Sequence, residues 1–245
     1  MSAGIRAGAS NDGYLQVNGV DVMGFGPGAP GNGMLINVRY ITANTTYIET
    51  PGTKSIEIEG VGGGGAGGGV PVAGGVLSSA GSGGGSGTYG RKRMTSGFSG
   101  LAVVVGAAGV PVNGGAGGAG GTSSFGTFSL PGGPGGALGG PNANGASTFP
   151  TANAGLAINA DFSITGQGGD GGFNLSATSA FSGRGGSNPL GTGAKPSVTA
   201  GISVNPGNPA SGFGSGGSGA TGSQNGATQI GGTAGPGIWI VREFA

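Results

Sequence analysis

Short tracts of nearly pure glycine recur along this chain, and no other feature limits its fold as much. GGGGAGGG spans 62–69, GSGGGSG 81–87, GGAGGAGG 114–121 and GGPGGALGG 132–140. GQGGDGG (166–172), GRGGSNPLGTG (183–193), GFGSGGSGATG (212–222) and GGTAGPG (231–237) follow. Ordering a glycine costs more backbone entropy than ordering any other residue, roughly 0.5–1 kcal/mol beyond alanine. Glycine has no side chain whose burial could offset that cost, so hydrogen bonds between neighbouring main chains must. Several tracts keep a G-G-x phase, and a period of three is that of the polyproline II conformation, which rises ~3.1 Å per residue. An eight-residue tract would then be ~25 Å long. Only glycine lets such backbones come close enough to exchange N–H···O and weaker Cα–H···O bonds. The tracts therefore predict a bundle of short polyglycine II helices, with the non-glycine position of each triplet facing outward.

Other glycine-rich architectures fit less well. Collagen needs an unbroken Gly-X-Y phase, and these tracts lose phase every eight to ten residues. An elastic linker needs neither similar tract lengths nor apolar strands at both ends. Disordered segments are usually highly charged and poor in apolar residues. Here 7% of residues are charged and 35% are hydrophobic. Residues 94–160 and 196–241 carry no charged side chain at all.

Strand signals flank the tracts, and no stretch has a helical period. YLQVNGVDVM at 14–23 reads as a β-hairpin, because Asn18-Gly19 suits a two-residue loop with positive φ at both positions. GFGPGAPGNG (24–33) reads as a Pro/Gly linker. Strands are expected at 34–41 and 46–49, with Pro51-Gly52 at the centre of a type II turn. SIEIEGV (55–61) alternates as a half-buried strand, with Ile56 and Ile58 on one face and Glu57 and Glu59 on the other. The run 101–105 reads as a continuously buried strand and 238–244 as a further strand carrying Trp239 into the core. The expected class is thus mostly irregular and β, essentially without α-helix. Two regions are expected: an attachment segment at 1–33, with the hairpin and linker, and a glycine-rich domain at 34–245.

Composition also bounds the chemistry. Nine basic and eight acidic residues give a net charge of +1, which offers no electrostatic case for nucleic acid or an anionic membrane. Cysteine and histidine are both absent, so disulfides, thiolate metal sites and Ser/His/Asp or Cys/His catalysis are excluded. No cofactor or metal site is expected. GxGxxG matches carry little weight in a chain this rich in glycine, and no βαβ unit surrounds them. Asp161 and Asp170 could be weighed as a glycosidase carboxylate pair, but a structural or solvated role is the simpler reading. No apolar run is long enough to span a bilayer, and 1–30 lacks the pattern of a secretory signal. A role outside the cell would then imply release by lysis.

The order of several segments resembles the glycine-rich domain of bacteriophage tail-fibre and receptor-binding (adhesin) proteins. These are the hairpin YLQVNGVDVM, the entry TYIETPGTKSIEIEGVGGGGAGGG (46–69), then GTYGRKRM, LAVVVGAAG and GGTSSFG (120–126). SGRGGSNPLGTG (182–193) and AGPGIWIVREF (234–244) close the series. The resemblance implies a polyglycine core flanked by strands, with loops at the bundle tip that contact host receptors. It also implies a homotrimer in the virion, made in the host cytoplasm and acting at the host cell surface. Its partners would be other tail or tail-fibre proteins and a host outer-surface protein or polysaccharide. The chain departs from glycine-pure members at Val70-Pro71-Val72 and in the 141–160 insert.

Segments joining the tracts are the candidate recognition elements, since loops on a rigid scaffold commonly carry function. The insert 141–160 offers Asn142, Asn144, Thr148, Phe149 and Asn153. Segment 174–181 offers Asn174 and Phe181, and 202–213 offers Asn205, Asn208 and Phe213. Phe149, between Thr148 and Pro150, is expected to be exposed. Phe162, Phe173 and Phe181 have the competing reading of packing on the bundle flank. Arg91-Lys92-Arg93 reads as a patch for lipopolysaccharide phosphates, as a solvated strand edge, or as paired with Glu57 and Glu59. A host-recognition adhesin is the leading function. A purely structural fibre component is the alternative, and an ice-binding protein or a polysaccharide depolymerase stands behind it.

Overall fold

The computed structural model describes residues 33–245 and the strands Tyr14–Val17 and Val20–Gly24. Those two strands pair antiparallel, with Val17 opposite Val20 and an irregularity between Leu15 and Gln16. The hairpin expected at 14–23 is therefore present, while its Asn18-Gly19 loop and most of the 24–33 linker lie outside the described residues. Among the described residues there is no helix; the rest is short antiparallel strands and irregular extended chain.

Two sheets pack face to face at one end. A five-stranded sheet runs in the order Phe162–Ile164, Tyr89–Met94, Ser55–Val61, Ile238–Phe244, Leu35–Ile41. A four-stranded sheet runs Phe128–Leu130, Ser123–Phe125, Ala102–Val104, Thr45–Thr46. Alternation decides which side chains meet between them. Ile56 and Ile58 from one strand and Trp239 and Val241 from its neighbour join Val103, Phe125, Phe128 and Leu130 of the other sheet. Trp239 lies edge-on to Phe125 and Phe128, with ring centroids 6.1 and 5.1 Å away. Its indole N–H donates to the Val104 carbonyl at 2.9 Å, so the buried polar end is satisfied.

Two strands differ from their sequence signals. The strand expected at 46–49 is only Thr45–Thr46. Its partner chain turns away at Ser99-Gly100, and Tyr47 keeps just two backbone bonds, to Leu101 and Gly100. The run 101–105 is not continuously buried: only Ala102–Val104 is strand, Val103 is fully buried, Leu101 and Val105 pack partly buried on the same core, and Ala102 and Val104 are exposed. The outer face of this four-stranded sheet is solvated, so burial alternates. The turn at Pro51-Gly52 is as expected, with Gly52 at φ +94° and Thr53 N–H bonded to the Thr50 carbonyl at 3.1 Å.

Beyond the sandwich the strands continue into the glycine tracts, and their hydrogen bonds repeat every third residue. In tract 62–69, the N–H groups of 62, 65 and 68 donate to carbonyls 88, 85 and 82. Those of 63, 66 and 69 donate to 121, 118 and 115, and those of 64, 67 and 70 to 235, 232 and 229. Falling acceptor numbers mean that all three neighbours run antiparallel. The carbonyls of 63, 66 and 69 accept from 133, 136 and 139, those of 65 and 68 from 217 and 220, and that of 64 from 109. These three neighbours run parallel. The six also bond to one another in a ring, through Gly85–Pro134, Gly117–Gly136, Gly118–Val110, Gly237–Gly106, Gly235–Ser215 and Gly84–Gly217. One extended chain enclosed by six others at a three-residue period is the hexagonal packing of polyglycine II.

Residues 61–70, 78–90 and 214–223 are buried throughout. Glycine is obligatory at the closest approaches: a Cβ on Gly84 would overlap the Gly65 carbonyl, and one on Gly67 the Ser218 carbonyl. Serine enters this interior where its hydroxyl completes the network. Ser82 Oγ accepts from Ala137 N–H at 2.6 Å, and Ser218 Oγ from Asn208 N–H at 2.7 Å. The bundle also recruits segments poor in glycine. Thr151 and Ala154 donate to Gly169 and Gly166, and Gly207 and Ala210 to Ile230 and Thr233. Much of the 141–160 insert and of 202–213 is therefore bundle wall rather than free loop. Outer positions must be narrow only on their inward side, so Pro, Thr and Asn fit.

Candidate functional site

The antiparallel order fixes which segments lie at the end opposite the sandwich. Tract 62–69 leaves the sandwich at Val61 and ends at Val70, and 81–87 starts from Ser79–Ala80 and returns to Tyr89. The far end is therefore built from 70–80, 110–115, 139–147, 173–182, 198–205 and 221–230. None of these residues is charged.

Two small sheets close this tip. One runs Gly145–Ala146, Phe173–Ser176, Ser179–Phe181, Val198–Ala200. Its register puts Ala146 opposite Phe173, Phe173 opposite Phe181 and Phe181 opposite Val198. Directly opposed residues share a face, so these four form one apolar row across the sheet. Phe173 is 48% exposed, Phe181 43% and Val198 44%. The next row, Asn174, Ala180 and Thr199, is buried against the bundle. The second sheet, Val204–Asn205, Thr221–Gly222, Ser79–Ala80, lies behind, joined by the Thr199–Thr221 hydroxyl contact at 2.6 Å. Val72, Val76, Leu175 and Ile202 extend the exposed apolar surface. A rigid, uncharged surface of this kind desolvates at little electrostatic cost against an uncharged apolar or carbohydrate partner.

The sequence candidates separate into display and support. Phe149 is 81% exposed, as expected, and Asn144 is exposed. Asn142 is half-buried and pinned by its Nδ2–H to the Ala146 carbonyl at 3.0 Å. Thr148 is a scaffold residue: its buried Oγ1 accepts from Gly172 N–H at 2.7 Å and reaches the Ala80 carbonyl. Asn174 is also scaffold, fully buried with Nδ2–H on the Ser78 carbonyl at 2.8 Å. Asn153 and Asn208 serve the bundle wall, through Gly168 N–H at 2.9 Å and the Lys195 carbonyl at 3.1 Å. Asn205 ties the two tip sheets together by donating to the Val198 carbonyl at 2.8 Å. Phe213 is at the wrong end: it packs with Val61, Tyr89 and Ile238 beside the sandwich. Phe181 remains a display residue. Phe173 and Val198 were missed as binding candidates, although the alternation of FNLS against SAF marks an exposed row.

Two ion pairs, Arg242 with Glu59 and Arg39 with Glu243, lie at the sandwich end. Arg91 stands across from Glu59 and Arg93 across from Glu57, as the pairing reading expects, but their strand is not a sheet edge, because Phe162–Ile164 pairs on its other side. Lys92 Nζ donates to the Asn159 carbonyl at 2.7 Å. Burial pushes Glu59 up, but the Arg242 guanidinium at 2.8 Å, the Tyr89 hydroxyl and the Arg91 charge outweigh it and hold the carboxyl below its ordinary value. The same contact, with burial as the larger cause, pushes Tyr89 up to about 12. Asp161 and Asp170 do not form a pair. They lie nine residues apart on one extended run, ~28 Å at the polyproline rise, with Asp161 bonded to Arg93 N–H at 2.7 Å beside the sandwich. No cluster of potential metal ligands occurs among the described residues. No protein-family model matches the chain, and no curated protein matches it.

Proposed function

We propose that this protein is the distal, receptor-recognising part of a bacteriophage tail fibre, an adhesin that holds its binding surface on a polyglycine scaffold. One observation carries the reading: the end farthest from the sandwich is free of charge and displays the row Ala146, Phe173, Phe181, Val198. Soluble proteins seldom leave a contiguous apolar surface open without a partner for it. The target is a host outer-surface protein or polysaccharide, since phenylalanine faces suit both an apolar loop and the C–H face of a sugar. Residues 1–33 attach the protein to other fibre components, and the assembly is a homotrimer within the virion.

The test is phage adsorption. Particles carrying Phe173→Ser with Phe181→Ser should adsorb to their host at least tenfold more slowly while still assembling. The purified variant should fail to compete with wild-type particles for cells. Normal adsorption by a variant with native Trp239 emission would overturn the proposal. Particles that adsorb normally but assemble poorly would point to a purely structural fibre part.

A further inference from the structure

Tract 131–140 has neighbours on only part of its circumference. Its N–H groups at 133, 136 and 139 bond the carbonyls of 63, 66 and 69. Its carbonyls at 131, 134 and 137 accept from 88, 85 and 82, and those at 133 and 136 from 120 and 117. Gly132, Gly135 and Leu138 remain, and neither their N–H nor their C=O groups bond to any described residue. These open groups recur at the three-residue spacing that joins every other tract. Above the open groups of Gly135 and Leu138 lies a groove of about 570 Å³. Residues 134–138 floor it, Ala116 and Gly117 form one wall, and 147–152 form the other. No lining residue is charged, and Phe149 stands over the rim.

We propose that this groove is an open position of the hexagonal lattice, and that it binds a proline- and glycine-rich segment of another chain in the polyproline II conformation. Period selects the conformation: a β-strand offers groups every second residue, whereas a polyproline II strand meets 132, 135 and 138 in step. Close approach selects glycine, since any side chain facing Gly135 would hold the two backbones beyond hydrogen-bond reach. Proline selects itself at the outward positions, where it lowers the entropy lost on binding and can pack on Phe149 and Leu138. The absence of charge disfavours acidic or basic peptides, whose desolvation would go uncompensated. This site lies on the bundle flank and is independent of the proposed tip surface.

The experiment is an amide ¹H–¹⁵N titration of the full chain with the peptide (Pro-Gly-Gly)₄. Shifts should saturate at millimolar peptide and concentrate at Gly132, Gly135, Leu138 and Phe149. Ala116→Glu and Phe149→Ala alter only exposed groove-lining side chains, and each should weaken binding at least tenfold with Trp239 emission unchanged. The Phe173→Ser/Phe181→Ser variant should bind the peptide as wild type does, whatever its adsorption phenotype. No saturable shift, shifts gathered at the tip instead, or groove variants that bind normally would overturn the proposal. So would dilution-dependent shifts at these amides without peptide, which would show a second copy in the groove.

Discussion

At the level of single residues, glycine acts here as a packing group whose value depends on what lies beside its α-carbon. Gly84 faces the Gly65 carbonyl in the fully buried interior, whereas Gly74 is exposed with nothing within 4 Å of its Cβ position. Gly84→Ala should destabilise by about 3 kcal/mol, the upper range for overpacking, or ~6–12 °C in Tm for a chain of this size. Gly74→Ala should be neutral or raise Tm slightly, since it restricts only the unfolded chain. Calorimetry of the pair checks this, and equal effects would mean that the tracts are not in contact.

Glu243 is the second informative residue. It is fully buried, accepting from the Tyr47 hydroxyl and Thr50 Oγ1, both at 2.5 Å. Arg39 Nε lies 3.0 Å away, close but with its N–H not aligned on the oxygen. Burial alone would raise its pKa; these hydrogen bonds and the Arg39 charge outweigh burial and hold it below the ordinary 4.5. A carboxyl depressed by folding contributes its full stability above that ordinary value and loses it as pH falls further. Tm should therefore drop below pH 4.5. Glu243→Gln should cost about 3 kcal/mol near neutrality and flatten the acid limb. Nothing in IWIVREF announces this site, because its partner Tyr47 is 196 residues away.

At the level of elements, periodicity was legible where one face is buried. SIEIEGV alternates in sequence and in burial over 55–61, whereas IWIVREF at 238–244, apolar over its first four residues, alternates only in burial. The tracts were legible by their three-residue phase. The extended segments 106–110, 148–155 and 206–210 were not, because an outer layer restricts only one side of each triplet and leaves no glycine signature. Phe213 was misplaced for a related reason: a tract's direction, not its sequence, decides which end of the bundle its flanking residues reach. Hydrogen exchange can read the lattice directly. Within 131–140, amides 133, 136 and 139 should exchange slowly and 132, 135 and 138 fast. Uniform rates across that tract would refute the packing.

At the level of the whole molecule, each tract residue sets a backbone ordering cost of roughly 1–2 kcal/mol, the more so for glycine, against a hydrogen bond worth about 0.5–1.5 kcal/mol net. One bond per residue does not exceed that cost, so a lone tract has no reason to form and the bundle forms as a unit. Residues 62–70 illustrate this, because a third of their N–H donors, those of 64, 67 and 70, reach 229–235. A chain ending at 228 should show no protected amides at 62–69 and no slow exchange in the remaining tracts. Retention of native-like protection by that fragment would contradict a cooperative bundle.

The strand Ile238–Phe244 lies between Ser55–Val61 and Leu35–Ile41, in the interior of its sheet rather than at an edge. Ribosomes deliver this piece after every other strand it must join, so an interrupted translation product lacks an inner plank of its own floor. Strand order thereby favours whole chains: a polypeptide stalled before this point lacks the strand that joins Ser55–Val61 to Leu35–Ile41 and should be cleaved faster by proteases than the finished chain.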